Sequence, residues 1–281
     1  MSEAVQMSWF MDQALSRRLE RTEGTVGTSF TEVNQRLKPE LGAAWHDFHG
    51  TYAIFDGADS PMTQSFGLGL FSPVTPKGLT ELEAFFTDRG ADVMHEVSPL
   101  AGIETFALLA DRGYRPHELS TVLVQPLDGA LAAPSAPGLR VRMIEPADHA
   151  AWIETSVLGW SADPTFADIM RQMATGAAAN RAMDHFVVEQ GGAPIATGSM
   201  GIVDSVALLA GASTIPAGRG LGAQAMLLAA RLGDARRRGC ELAMMVTTPG
   251  SASQRNAERS GFRVAYTRTK WRLARPVSAA A

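Results

Sequence analysis

The segment 214–228, Thr-Ile-Pro-Ala-Gly-Arg-Gly-Leu-Gly-Ala-Gln-Ala-Met-Leu-Leu, constrains this chain more than any other. It follows an apolar run, 205–214, that reads as a strand, and it opens a run from Ala223 to Arg238 with apolar residues at helical spacing and a basic end. A glycine-rich turn at a helix start exposes backbone N–H groups that no helix carbonyl satisfies. Those donors, with the positive end of the helix dipole, suit a phosphate or diphosphate. Spacing narrows the choice of anion-binding loop. There is no Gly-x-x-x-x-Gly-Lys-Ser/Thr, which excludes a P-loop. The dinucleotide fingerprint Gly-x-Gly-x-x-Gly is also missing, because Ala225 stands where its third glycine would be. Arg236, Arg237 and Arg238 lie near the distance at which that fingerprint needs an acid.

A chain of 281 residues, 46% hydrophobic and 19% charged, can bury the cores of two ordinary domains. The net charge of −4 gives no electrostatic reason to expect nucleic acid or an anionic membrane as partner. No apolar run approaches the ~18 residues of a membrane span. The N-terminus lacks the apolar core of a signal peptide, and 9–22 reads as a helix. With Cys240 as the sole cysteine, no intrachain disulfide or cysteine zinc site can form, and a cytoplasmic protein is the simplest reading. His46 and His49 are three apart without an accompanying His-Glu-x-x-His, so no metal site is expected.

The stretch 131–138, Leu-Ala-Ala-Pro-Ser-Ala-Pro-Gly, is a linker by composition. It separates halves that share a faint repeat. Arg89-Gly90, Pro99 and Gly113-Tyr114 in the first half recur as Arg238-Gly239, Pro249 and Gly261-Phe262 in the second, displaced by about 149 residues. The expected division is 1–130, the linker 131–138, 139–275, and a tail 276–281. The first half lacks the anion loop: the corresponding text is Phe66-Gly-Leu-Gly-Leu-Phe-Ser-Pro73, with no arginine before its glycines and prolines that oppose a helix starting there. It reads as a turn between apolar strands. In the second half, strands are expected at 139–144, 185–190, 194–200, 205–214, 242–246, 262–267 and 270–273. Helices are expected from Glu145 to about Trp160, from Asp163 to about Thr175, from Ala223 to about Arg238, and over 253–260.

The pattern Arg219-Gly-x-Gly222-x-Gln224-x-x-Leu227-Leu228, with Thr214 and Pro216 upstream, resembles motif A of the GNAT acetyltransferase superfamily; Gln224 departs from its usual Gly or Ala. Asn256-Ala-Glu-Arg-Ser-Gly-Phe262 resembles the family's motif B. The resemblance covers nearly all of 139–275 and implies an α/β mixed sheet, the GNAT acyl-CoA N-acyltransferase fold, here as two tandem copies with a degenerate first one. It implies a coenzyme A-dependent N-acetyltransferase that moves an acetyl or other acyl group from acetyl-CoA to a primary amine of a small molecule. Acetyl-CoA is then a cosubstrate held by Ser213, Thr214, Arg219, Gly220, Leu221, Gly222, Ala223, Gln224, Ser253 and Asn256. The pantetheine arm would lie between the strands ending near Thr214 and Val246, and a backbone N–H between Ala212 and Thr214 would steady the oxyanion.

The acid–base residues depart from the family's pattern. The strand 205–214 carries no acid, which leaves Asp204, just before it, as the nearest candidate base, with Glu96 and His95 of the first half as remoter ones. The usual tyrosine acid is replaced by Ala257, and Tyr266 on a strand reads as packing. Trp160 and Asp163 fall where the family often lines its acceptor site, and the 236–238 run reads as a helix C-terminus. The first half is expected to shape the acceptor pocket or a dimer face, which leaves a homodimer open. These departures keep a second reading in play, a catalytically silent acyl-CoA-binding sensor.

Overall fold

The computed structural model describes residues 10–131, 133–160 and 167–275. Its first half runs α1 (Gln13–Leu37), β1 (Ala44–Phe48), β2 (Thr51–Phe55), β3 (Gln64–Phe66), α2 (Pro76–Thr87), β4 (Val93–Val97), α3 (Ile103–Asp111) and β5 (Arg115–Pro126). Its second runs β6 (Leu139–Met143), α4 (His149–Trp160), α5 (Ala167–Ala178), β7 (Met183–Gln190), β8 (Ala193–Val203), β9 (Val206–Thr214), α6 (Ala223–Arg237), β10 (Leu242–Thr247), α7 (Ala252–Arg259) and β11 (Arg263–Leu273).

The strands form one mixed sheet in the order β1-β2-β3-β4-β11-β5-β10-β9-β8-β7-β6. That order is a pseudo-twofold. The last strand of each half has crossed over: β5 sits beside β10, β11 sits beside β4, and the two pair with each other antiparallel through the middle. Each half completes the other's sheet. The parallel neighbours are β3–β4 and β9–β10, the corresponding pair in each half.

Alternation along β9 decides which helix covers which face. Val206 and Leu208 pack with Leu19 of α1 and Met244, whereas Ala207 and Leu209 pack with Leu227, Leu228 and Leu232 of α6. Helix α1 begins at Asp12, whose carboxylate accepts the Leu15 N–H at 2.8 Å, and it runs well past the expected 9–22. Glycine is a weak helix former, yet the helix carries Gly24 and Gly27 in its interior. Both face β2 at close range: a Cβ at Gly24 would stand 2.7 Å from the Tyr52 ring and one at Gly27 2.5 Å from Ile54 Cδ1.

A buried ionic cluster ties α1 to the crossed strands. Arg268 of β11 donates to Glu20 at 3.0 and 3.1 Å, to Glu23 at 2.9 Å and to Ser120 Oγ at 2.9 Å, and Ser120 donates on to Glu96 at 2.8 Å. Tyr266 donates its hydroxyl to Glu20 at 2.7 Å, so its place is indeed in the core. The two strands expected at 262–267 and 270–273 are one, β11, with register shifts at Val264/Tyr266 and Lys270/Trp271. The Asp163 helix start lies outside the described residues; α5 is described from Ala167.

Candidate functional site

Parallel pairing of β9 and β10 stops at Leu208 and Met244, although β9 continues to Thr214 and β10 to Thr247. Beyond that point the strands part, and the opening continues into a cleft of about 710 Å³. Its lining includes Ser213 and Thr214 of β9, Arg219, Gly220 and Gly222 of the following loop, and Ala223 and Gln224 at the start of α6. Gly159 and Trp160 of α4, Met245 of β10, and Ser253 and Asn256 of α7 also contribute. Of the expected binding residues only Leu221 is missing from this surface, and it is exposed.

The head of the cleft is a glycine-bent, uncapped helix start flanked by arginine. Gly220 and Gly222 adopt positive φ of 79° and 86°, and Gly222 is the N-cap of α6 without any side-chain cap. The first backbone bond into the helix is Met226 N–H to Gly222 O at 3.1 Å, which leaves the N–H groups of residues 223–225 without a partner among the described residues. Every charged side chain lining the cleft is an arginine: Arg219, Arg231 and Arg259. Among the described lining residues there is no carboxylate and no histidine.

Two side chains, Gln224, which departs from the motif, and Arg219, which matches it, hold the loop's shape. Gln224 donates from Nε2 to Ser213 O at 3.1 Å and Thr214 Oγ1 at 2.7 Å, which ties the helix start to the end of β9. Arg219 reaches back to Thr214 O and Gly159 O, each at 3.4 Å, and so braces the loop against α4. Close packing of α4 needs Gly159, since a Cβ there would lie 2.5 Å from Ser213 Oγ.

Further in, β9 carries a bulge. Thr197 faces Ser213 and Ser199 faces Ala210, so Gly211 and Ala212 together oppose Gly198, with Gly211 at φ 60°. Arg231 of α6 lies beside it. Its guanidinium donates from Nη1 to Ser199 O at 3.1 Å and Ala210 O at 3.5 Å, and from Nε to Leu227 O at 3.4 Å. The residue is 1% exposed, and burial pulls its guanidinium down to about 10, which still leaves it charged at neutral pH. Gly198 makes room for it, because a Cβ there would stand 3.1 Å from Nη1. The sequence reading missed Arg231, although a trace was present: it falls on the apolar stripe Leu227, Leu228, Leu232 of its helix.

Asp204 is not brought to the cleft. It sits in the β8–β9 turn with φ 46°, at the opposite end of β9 from Ser213, a span of roughly 25 Å at strand rise. Its carbonyl accepts from Arg18. His95 and Glu96 are buried in β4, His95 between Ser65 Oγ (2.7 Å) and Tyr114 OH (3.0 Å), and neither lines the cleft. Ala257, at the position of the usual tyrosine, is buried in the cleft wall, and Asp163 lies outside the described residues. Among the described residues, no group of three or more His, Cys, Asp or Glu could hold a metal ion. No described helix is long and apolar enough to cross a membrane.

No protein-family model matches the sequence, and no curated protein does either. Solved structures match the fold. A GCN5-related N-acetyltransferase from Kribbella flavida aligns over 87% of this chain and 95% of its own, with a TM-score of 0.63 at 17% identity. A tandem GNAT protein from the clavulanic acid biosynthesis pathway aligns over 96% of this chain and 98% of its own, with a TM-score of 0.61 at 13% identity. A GCN5-related N-acetyltransferase from Sphaerobacter thermophilus aligns over 76% and 72%, with a TM-score of 0.57 at 18% identity. With the split β9–β10 pair, the uncapped start of α6 and the crossed terminal strands already in view, these likenesses fix the architecture: the chain has the fold of the GNAT N-acetyltransferases, in its tandem form.

Proposed function

We propose that this protein is a coenzyme A-dependent N-acyltransferase, with residues 139–275 as the catalytic half, acetyl-CoA as the reference donor and a primary amine of a small molecule as acceptor. One observation carries the reading: a glycine-bent, uncapped helix start stands at the head of a cleft whose charged side chains are all cationic. A diphosphate would take the free N–H groups of residues 223–225, and Ser253 and Asn256 would close on the donor from α7. The pantetheine arm would then run into the gap between β9 and β10, toward the bulge at Gly211 and Ala212. The thioester supplies the activated acyl carbon. The chain supplies position, water exclusion and backbone donors at the bulge, where negative charge develops during attack.

Among the described residues no carboxylate or histidine lines the cleft, so the described wall offers no base and the acceptor amine would have to enter unprotonated. The rate under kcat/KM conditions should therefore rise with pH along the ionisation of the amine offered, and shift when an amine of different basicity is used. A base-limited profile that stays put across amines would count against this assignment.

The same lack of acid–base groups favours a second reading, a silent acyl-CoA-binding sensor. Titration with coenzyme A and thiol release from acetyl-CoA across a panel of amines separate the two. Binding with release on at least one amine supports transfer; tight binding with no release on any supports the sensor. Gly222→Glu places a carboxylate against the diphosphate and should weaken coenzyme A binding at least 100-fold. Unchanged affinity in that variant would sink both readings.

A further inference from the structure

Among the described residues two arginines are essentially fully buried, Arg231 and Arg268, and they are treated in opposite ways. Arg268 meets the carboxylates of Glu20, Glu23 and Glu96. Arg231 meets none; its partners are the main-chain carbonyls of Leu227, Ser199 and Ala210, and Nη2 has no partner among the described residues. A buried charge without a counterion is costly, and proteins pair such groups or use them. Arg231 lines the cleft.

Its position along the cleft says which part of a bound donor it would meet. Side chains on a helix lean toward the N-terminus, yet Arg231 lies two turns beyond the uncapped start of α6, too far in to share a diphosphate held at residues 223–225. The two strand carbonyls it holds belong to the Ser199–Ala210 pair that borders the β9 bulge. A donor lying from the loop toward the bulge delivers its acyl end there. Ala212, Leu228 and Met245 line the same cleft as Arg231 and bring no charge to it. A guanidinium with a free donor edge in such surroundings fits a carboxylate.

We propose that Arg231 selects an acyl group that itself ends in a carboxylate, so that the preferred donors are short dicarboxylic monothioesters of the malonyl and succinyl class. The proposal rests on the coenzyme A reading of the cleft and narrows its donor. The carboxylate would complete the ion pair that the fold leaves open, and a plain acetyl group would leave it open.

The test compares equilibrium affinities of the full-length protein for coenzyme A, acetyl-CoA, butyryl-CoA, malonyl-CoA and succinyl-CoA, by competition against one labelled coenzyme A. At least one carboxylate-ended donor should bind tenfold or more tightly than both acetyl- and butyryl-CoA. That ratio should collapse toward one in Arg231→Gln. Equal affinities, or preference for the uncharged acyl groups, overturn the proposal while coenzyme A binding keeps the cleft reading intact. A ratio that survives in a folded Arg231→Gln protein also overturns it. Failure of the wild type to bind coenzyme A at all brings down the cleft reading together with the proposal. Should Arg231→Gln not fold, the wild-type ratio between succinyl- and butyryl-CoA decides alone, because those donors differ by the carboxylate.

Discussion

The two halves place the same elements around the same parallel strand pair, and they end in opposite ways. In the second half, pairing between β9 and β10 stops midway and a cleft opens. In the first, β3 pairs with β4 through Phe66 and Glu96 and ends there. The chain then folds inward, and Leu68 and Leu70 join Leu79, Leu82 and Phe86 in a core cluster where the second half keeps open space. The helix starts differ in the same sense. Thr75 caps α2 by accepting the Gly78 N–H at 3.0 Å, whereas Gly222 offers α6 no side chain at all. One half caps its helix start and fills its gap with leucine; the other leaves both open. Topology alone therefore does not make a site.

Placing the same substitution in both halves gives the sharpest contrast. Gly69→Glu would drive a Cβ to 2.5 Å from Thr105 Oγ1 and 3.0 Å from Ala101 O, at a φ of 77°, and would force a carboxylate toward the core. A loss of more than about 3 kcal/mol in denaturant unfolding is expected. Gly222→Glu meets only Ala136 Cβ at 3.3 Å, so its cost is confined to strain from a φ of 86°, roughly 1–2 kcal/mol, while coenzyme A binding is lost. Comparable destabilisation by the two would erase the distinction between a filled and an open site.

Acid sensitivity should draw most on a buried histidine of the first half. Burial without a charged partner pulls His95 down to about 3, so the folded protein keeps it neutral. Below the ordinary imidazole value near 6.5 the unfolded chain takes up a proton that the folded chain refuses. Stability is then lost as pH falls from about 6.5 toward 3, at up to about 1.4 kcal/mol per pH unit. The position 149 residues on is Met244, which does not titrate. His95→Gln should flatten this limb in pH-dependent unfolding, leaving a remainder from His185, which burial also lowers. An unchanged slope would assign the acid limb elsewhere.

What the sequence made legible was local. The Gly220–Gly222 turn, the apolar runs of β7 to β10 and the helix after Gly222 depend on neighbours within a few residues, and they stand where expected. Long-range features were not legible. Nothing near Arg268 announces that its partners lie on a helix some 248 positions away, and the crossing of β5 and β11 follows from how the halves dock. Asp204 looked near β9 because it is near in sequence; a strand carries its two ends apart, and it is the far end that faces the cleft. Arg231 reads as one basic residue in an arginine-rich helix until the bulge is known to lie above it.

Smaller effects come from the caps themselves. Thr75→Ala removes the α2 cap and should cost about 1 kcal/mol in unfolding, with coenzyme A affinity unchanged, since that helix start does not line the cleft. A measurable drop in affinity would mean that the first half shapes the donor site after all.

Gln224→Ala should do the reverse. The amide of Gln224 satisfies Ser213 O and Thr214 Oγ1, one a main-chain acceptor that two other elements already hold in place through the β8 pairing and the Ser213 contact to Ser156. Its loss should cost about 0.5–1.5 kcal/mol at most. The loop would still bend at Gly220 and Gly222, so the donors of residues 223–225 would remain, but they would be held less firmly against the end of β9. A several-fold rise in the dissociation constant for coenzyme A is expected, with little change in unfolding midpoint. That split, affinity lost and stability kept, is what a preorganised loop predicts; equal loss of both would make Gln224 a packing residue.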